Sequence, residues 1–133
     1  MNRAGRAMED THKGRQKLPE VGERGRFVVL HHTGGAGADH FDLMLEAAGE
    51  EKLMCWRVGV GPERWGDGLV WDAAGVERIA DHRAVYMTYE GQISGGRGAV
   101  KRVAEGAWEV RGADARGCRV WLEGVGCEVA LPY

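Results

Sequence analysis

From Phe27 onward, apolar and polar positions alternate in short runs rather than recurring at helical spacing. FVVL (27–30) is a β-rich run leading into His31 and His32. In HFDLMLE (40–46), Phe41, Leu43 and Leu45 alternate with His40, Asp42, Met44 and Glu46. That period of two gives a strand with one apolar and one mostly polar face. Further strands are predicted in KLMCWRVGV (52–60), GLVWDA (68–73), AVYMTYEG (84–91), AWEVRG (107–112), CRVWLEG (118–124) and CEVALPY (127–133). EAAGEEKLM (46–54) reads either as a helical turn or as a hairpin loop, and ADARG (113–117) reads as a turn. The chain shows no internal repeat and no heptad. Short strands at this spacing, separated by Gly, Asp or Glu, predict a mainly β fold: a small antiparallel β-barrel with few short helices.

Composition supports the turns. Glycine occurs 22 times in 133 residues, about twice its usual share, with no collagen-like period. The length suits one domain with a single core. Charge divides the chain. Residues 1–26 hold seven basic and four acidic side chains, and residues 27–133 hold eleven and sixteen. The first part is poor in large apolar residues and predicts a basic, flexible arm over 1–25, leaving 26–133 as the folded domain. A net charge of −2 excludes a strongly basic nucleic-acid coat protein. A single serine, Ser94, argues against serine-nucleophile chemistry. Three cysteines (Cys55, Cys118, Cys127) in apolar contexts, with no CxxC pair, read as reduced core thiols. The amino-terminal stretch has no apolar core of a secretory signal, and no apolar run approaches 18 residues. The expectation is a soluble, cytoplasmic monomer without membrane contact.

Candidate chemistry gathers at the histidines. His40 and Asp42 are i and i+2, so on a strand they leave the same face about 7 Å apart. His31 or His32, ending the previous strand, would lie alongside if TGGAGAD (33–39) is a hairpin loop. Two imidazoles and one carboxylate could converge on a divalent cation and leave positions open for substrate or water. The plainer alternative is a hydrogen-bonded His–Asp pair on a wet surface. In DHRAVYMTYEG (81–91), a regular strand would put His82 and Tyr86 on one face and Arg83 on the other; imidazole and phenol can both donate to phosphate oxygen. GQISGGRGAVKR (91–102) lacks the Gly-Lys-Ser/Thr ending of a Walker A loop, but its glycines and Arg97 could approach an anion, or it is simply a flexible hairpin loop.

The ordered motifs RFVVLHH (26–32), HFDLMLE (40–46), CWRVGVGP (55–62), ADHRAVYMTYEG (80–91) and GAWEV (106–110) resemble the 3′-phosphoesterase domain found at the amino end of many bacterial DNA ligase D proteins. The resemblance spans about residues 26–110. It implies a small β-barrel that holds a divalent metal, typically manganese, and trims a 3′-phosphate or a terminal ribonucleotide from a primer strand. The implied metal ligands are His40 and Asp42 with a first histidine at His32 or His31, His32 being favoured. Asp81, His82 and Tyr86 match the family's phosphate-working motif, and Glu90, Gly91, Glu105, Gly106, Trp108 and Glu109 match the elements that follow. The implied partners are nucleic-acid 3′ ends, with any ligase or polymerase on separate chains.

Two departures bear on phosphate binding. The family's H-x-D-F-R-L-E carries an arginine where this chain has Met44, and its W-x-V-P-K-G-P carries a lysine where this chain has Val60. Each lost charge-assisted contact costs about 1.5–3 kcal/mol. Arg97, Arg57 and Arg83 are the candidates to replace them, and a regular strand favours Arg97. Three readings follow: a 3′-end phosphoesterase, a weak or inactive end-binding module of the same fold, and an unrelated metal-binding barrel for a small molecule.

Overall fold

In the computed structural model, described over residues 17–66 and 75–133, the alternating runs form one antiparallel sheet. Its strands are β1 (Arg24–Thr33), β2 (His40–Ala47), β3 (Lys52–Val58), β4 (Glu77–Arg83), β5 (Gly91–Gln92), β6 (Ala99–Ala113), β7 (Gly117–Leu122) and β8 (Cys127–Pro132). They lie in the order β4-β3-β2-β1-β6-β7-β8, with the short β5 paired to β6. The sheet curls into a half-barrel. The only helical pieces among the described residues are two 3₁₀ turns, Pro62–Arg64 and Ala84–Met87, and no helix there is long and apolar enough to cross a membrane.

The curl closes through an indole. Trp56 on β3 is fully buried, and its Nε1 donates to the Pro132 carbonyl on β8 at 2.6 Å. The concave face carries Phe27, Val29, Leu43, Leu45, Met54, Trp56, Trp108, Val120 and Leu122. The convex face carries a second, smaller core of Val28, Leu30, Met44, Leu53, Cys55 and Val100. Strands buried on both faces read as unbroken apolar runs, which is why FVVL and LMCW show no alternation. Each buried aliphatic side chain contributes about 1.5–3 kcal/mol relative to exposure. The second core is therefore enough to draw a covering segment onto the convex face.

That segment corrects the sequence reading. Residues 84–90 are not a strand: after Arg83 the chain enters the 3₁₀ turn, with the Thr88 and Tyr89 amides both donating to the Val85 carbonyl, and only Gly91 of the expected run is in a strand, the short β5. Tyr86, Met87 and Ile93 thereby pack over the second core, burying apolar surface that an edge strand would leave wet. The glycine loop is also shorter than 91–102, because Ala99–Arg102 already belong to β6. β3 stops at Val58, and residues 48–51 turn as a hairpin between β2 and β3. The predicted strand 68–73 lies outside the described residues, as do residues 1–16 of the arm. The rest of the arm is folded. Lys17 pairs with Glu23 at 3.2 Å, and Gly22 and Glu23 exchange backbone hydrogen bonds with Val110. The folded unit thus begins before the expected boundary at residue 26.

Candidate metal centre

The β1–β2 hairpin sets the centre. Its register places His32 opposite His40 and Leu30 opposite Asp42, while His31 falls opposite Phe41. Successive side chains leave opposite faces, so the two histidines of the pair separate. His31 stacks on Phe41 with centroids 4.3 Å apart, away from Asp42. His32, His40 and Asp42 share the convex side, with one ligand atom from each lying within 4.8 Å of the others. The structure thus brings His32, not His31, to the aspartate.

Backbone carbonyls assign the imidazole protons. His40 Nδ1 lies 3.0 Å from the Ala38 carbonyl and His32 Nε2 lies 2.6 Å from the Arg97 carbonyl. A carbonyl only accepts, so these ring nitrogens donate. In the neutral rings, the other nitrogens then present lone pairs to the carboxylate: His40 Nε2 is 3.2 Å from Asp42 Oδ1, and His32 Nδ1 is 3.6 Å from Asp42 Oδ2. Among the described residues, His40 Nε2 and Asp42 Oδ1 are buried without a hydrogen-bond partner, and the Asp42 side chain is only 4% exposed. Acceptors facing acceptors in a buried site are costly unless something positive sits between them. The residues therefore fit a cation. Two imidazoles and a carboxylate, with carbonyls fixing the tautomers from behind, form a donor set with open positions for a borderline divalent metal. Gly98 keeps the Arg97 carbonyl in reach of His32. Its φ is +86°, and a Cβ there would collide with the Thr33 carbonyl oxygen, so the loop seats on β1 only with glycine at that position.

Beside the centre is a cavity of about 260 Å³ lined by His32, Asp42, Asp81, His82, Arg83, Tyr86 and Arg97, with Met44, Ile93 and Val100 as its apolar part. His82 Nδ1 donates to the Ala80 carbonyl at 2.8 Å, leaving Nε2 as the ring nitrogen with no hydrogen bond among the described residues. The His82 and Tyr86 rings meet edge to face, 5.9 Å apart. They converge across the 3₁₀ turn rather than along a strand face. The same turn overturns the expected direction of Arg83, which lines this cavity with its guanidinium 5.9 Å from the Tyr86 ring. Arg97 lines it too, but its Nε and Nη2 donate to the Ser94 carbonyl and hydroxyl. Arg57 is not in this cavity; it rims a separate hollow with His40 and the 35–39 loop.

Of the two departures, one is at the site. Met44 is 1% exposed, belongs to the second core and lines the cavity. Val60 packs against the concave core instead, with its carbonyl taking the Trp65 indole N–H. Glu90 accepts from the Arg102 amide at 2.7 Å, fastening the covering segment to β6. Trp108 donates to the Glu46 carbonyl across the sheet.

Arg78 escaped the sequence reading. Its side chain is 5% exposed, pairs with Asp81 at 3.2 Å, stacks over Trp56 and donates to the Lys17 carbonyl. It is placed by a shift in the β3–β4 register between Leu53 and Cys55, which no pattern of alternation reveals. Cys55, in the second core next to the site, is pushed well above the ordinary thiol pKa by burial and then by the Asp42 charge. Among the described residues, the cluster of candidate ligands does not include it. The sequence matches no protein-family model, and comparison with curated proteins gives no match.

Proposed function

We propose that the protein is a metal-dependent phosphoesterase acting on the 3′ end of a nucleic-acid strand, removing a 3′-phosphate or a terminal ribonucleotide during strand-break repair. The observation that carries the reading is the convergence of three lone-pair donors, His32, His40 and Asp42, at the edge of a cavity that also holds an imidazole, a phenol and two guanidinium groups. These residues occur in the order of the motifs that resemble the ligase D phosphoesterase domain.

A divalent cation on His32, His40 and Asp42, manganese in the resembled family, would supply Lewis-acid polarisation of a phosphoryl oxygen and a more acidic bound water. The chain's own groups do the rest. The Ala80 carbonyl holds His82 so that Nε2 is the atom open to the cavity. When charged, that nitrogen donates its proton to a leaving oxygen or to a non-bridging phosphate oxygen. The Tyr86 hydroxyl donates to a second oxygen. Ligase or polymerase activities would reside on separate chains, which seal or extend the resulting 3′-hydroxyl.

The test is a labelled primer ending in 3′-phosphate, incubated with and without manganese. Conversion to the 3′-hydroxyl product only with the metal, and its loss in His82→Ala, is the expected result. A second reading, an end-binding module without turnover, is favoured by Met44, an apolar side chain in the cavity wall where the resembled family has a cation. Metal-dependent binding of the 3′-phosphate primer without product would select it. Absence of both binding and turnover would refute the phosphoesterase reading.

A further inference from the structure

Resting on the phosphoesterase reading, we infer that Arg83 is the residue that clamps the terminal phosphate, taking over the charge that Met44 cannot provide. Two aspartates and two arginines line the cavity. The Asp81 carboxylate is already engaged by Arg78 from behind, and Asp42 is turned to the two histidines. The wall is therefore left with surplus positive charge even before a cation adds its own. That balance suits a phosphate monoester, whose charge exceeds that of a backbone diester.

The two arginines are not equivalent. Arg97 is committed locally: its guanidinium donates to Ser94, and its carbonyl orients His32. Moving its side chain onto a ligand would break two hydrogen bonds of the turn that positions a metal ligand. Arg83 has neither tie. Among the described residues it makes no ion pair and no side-chain hydrogen bond, and its one aromatic contact is with Tyr86, itself a cavity residue. It leaves the end of β4 immediately after His82, so one stretch of backbone carries both the imidazole and the guanidinium. A guanidinium presents a planar fork of donors that matches two phosphate oxygens at once. Arg97 is thereby a positioning residue for His32, and Arg83 the direct contact.

The test compares binding of two otherwise identical 5′-fluorescein oligonucleotides, one ending in 3′-phosphate and one in 3′-hydroxyl. The full chain is used in chelator, where metal-dependent turnover does not consume the probe. The parent is expected to prefer the phosphate end by about ten- to a hundred-fold, the range for one charge-assisted contact. Arg83→Ala should bring that preference close to one while leaving 3′-hydroxyl affinity within about two-fold, because only the end contact is lost. Arg83→Lys, which keeps the charge without the fork, should fall between. Arg97→Ala should retain most of the preference in chelator but weaken manganese binding, measured separately by titration. An Arg83→Ala variant that keeps the parent's preference overturns the inference, as does an Arg97→Ala variant that alone abolishes it. Parent turnover of the 3′-phosphate primer with manganese keeps the phosphoesterase reading standing in either case. A parent with neither preference nor turnover refutes that reading and the clamp with it.

Discussion

Replacing Asp42 by asparagine tests whether the buried His–Asp cluster is built for a metal or is a self-sufficient hydrogen-bonded network. His40 Nε2 and Asp42 Oδ1 face each other at 3.2 Å, both buried and, among the described residues, both without a hydrogen-bond partner. An asparagine of the same shape can turn its amide so that Nδ2 donates to His40 Nε2, supplying a hydrogen bond worth about 1 kcal/mol and removing a buried negative charge. Without metal, Asp42→Asn should be as stable as the parent or more stable by about 1 kcal/mol. With manganese at about a hundred times its dissociation constant, the parent alone gains about 2.7 kcal/mol. For a domain of this size that is a rise in Tm on the order of 10 °C. Thermal melts in chelator and in manganese should therefore show the two proteins exchanging order of stability. If Asp42→Asn in chelator is less stable than the parent by about 2 kcal/mol or more, the carboxylate is instead held by protonated imidazole, and the metal argument fails. A parent whose melting point ignores divalent cations would refute it equally.

Met44→Arg restores charge at the cavity but places the arginine stem among Val28, Leu30, Leu53 and Val100; it should raise affinity for a 3′-phosphate end while costing about 2 kcal/mol of stability in urea unfolding. Trp56→Phe removes the indole donor to Pro132 and leaves only a smaller, weaker aromatic ring under Arg78. It should destabilise the fold by about 2–3 kcal/mol, and an unchanged urea midpoint would show that the β3–β8 closure is unimportant. Burial raises the Cys118 pKa from 9.0 to about 11. That contribution to stability is complete below pH 9 and is lost as pH rises through about 11, so pH-dependent melts should decline across that window. At pH 8, native protein should be alkylated first at the half-buried Cys127, with Cys55 and Cys118 reacting only on unfolding.

Much of the fold is legible locally. The alternation in HFDLMLE fixes which side chains of β2 go to the concave core and which go with His40 and Asp42, because a strand has no other way to distribute them. The same rule says that His31 and His32 cannot both join Asp42. Which one does depends on register, and the register of β1 on β2 comes from the length and seating of the 34–39 loop. That seating is a matter of Gly98 meeting Thr33 and of Asp39 accepting the Gly34 amide at 3.1 Å, contacts between residues far apart in sequence or hidden in a loop.

The second half of the site was less accessible for a related reason. AVYM has the composition of a strand, and alternation alone sends Arg83 away from His82. The convex core overrides that preference: Met44, Leu53, Cys55 and Val100 offer an apolar surface that Tyr86, Met87 and Ile93 can cover only if the chain turns after Arg83. Local pattern thus determines strands, faces and the pairing of imidazole with carboxylate on one edge. Burial of a surface assembled from β1, β2, β3 and β6 decides where the covering segment goes, and with it that Arg83 joins Arg97 in the cavity wall. Non-local apolar burial outweighs the weak β preference of a four-residue stretch, since that preference amounts to at most about 1 kcal/mol per residue, whereas each buried side chain contributes as much or more.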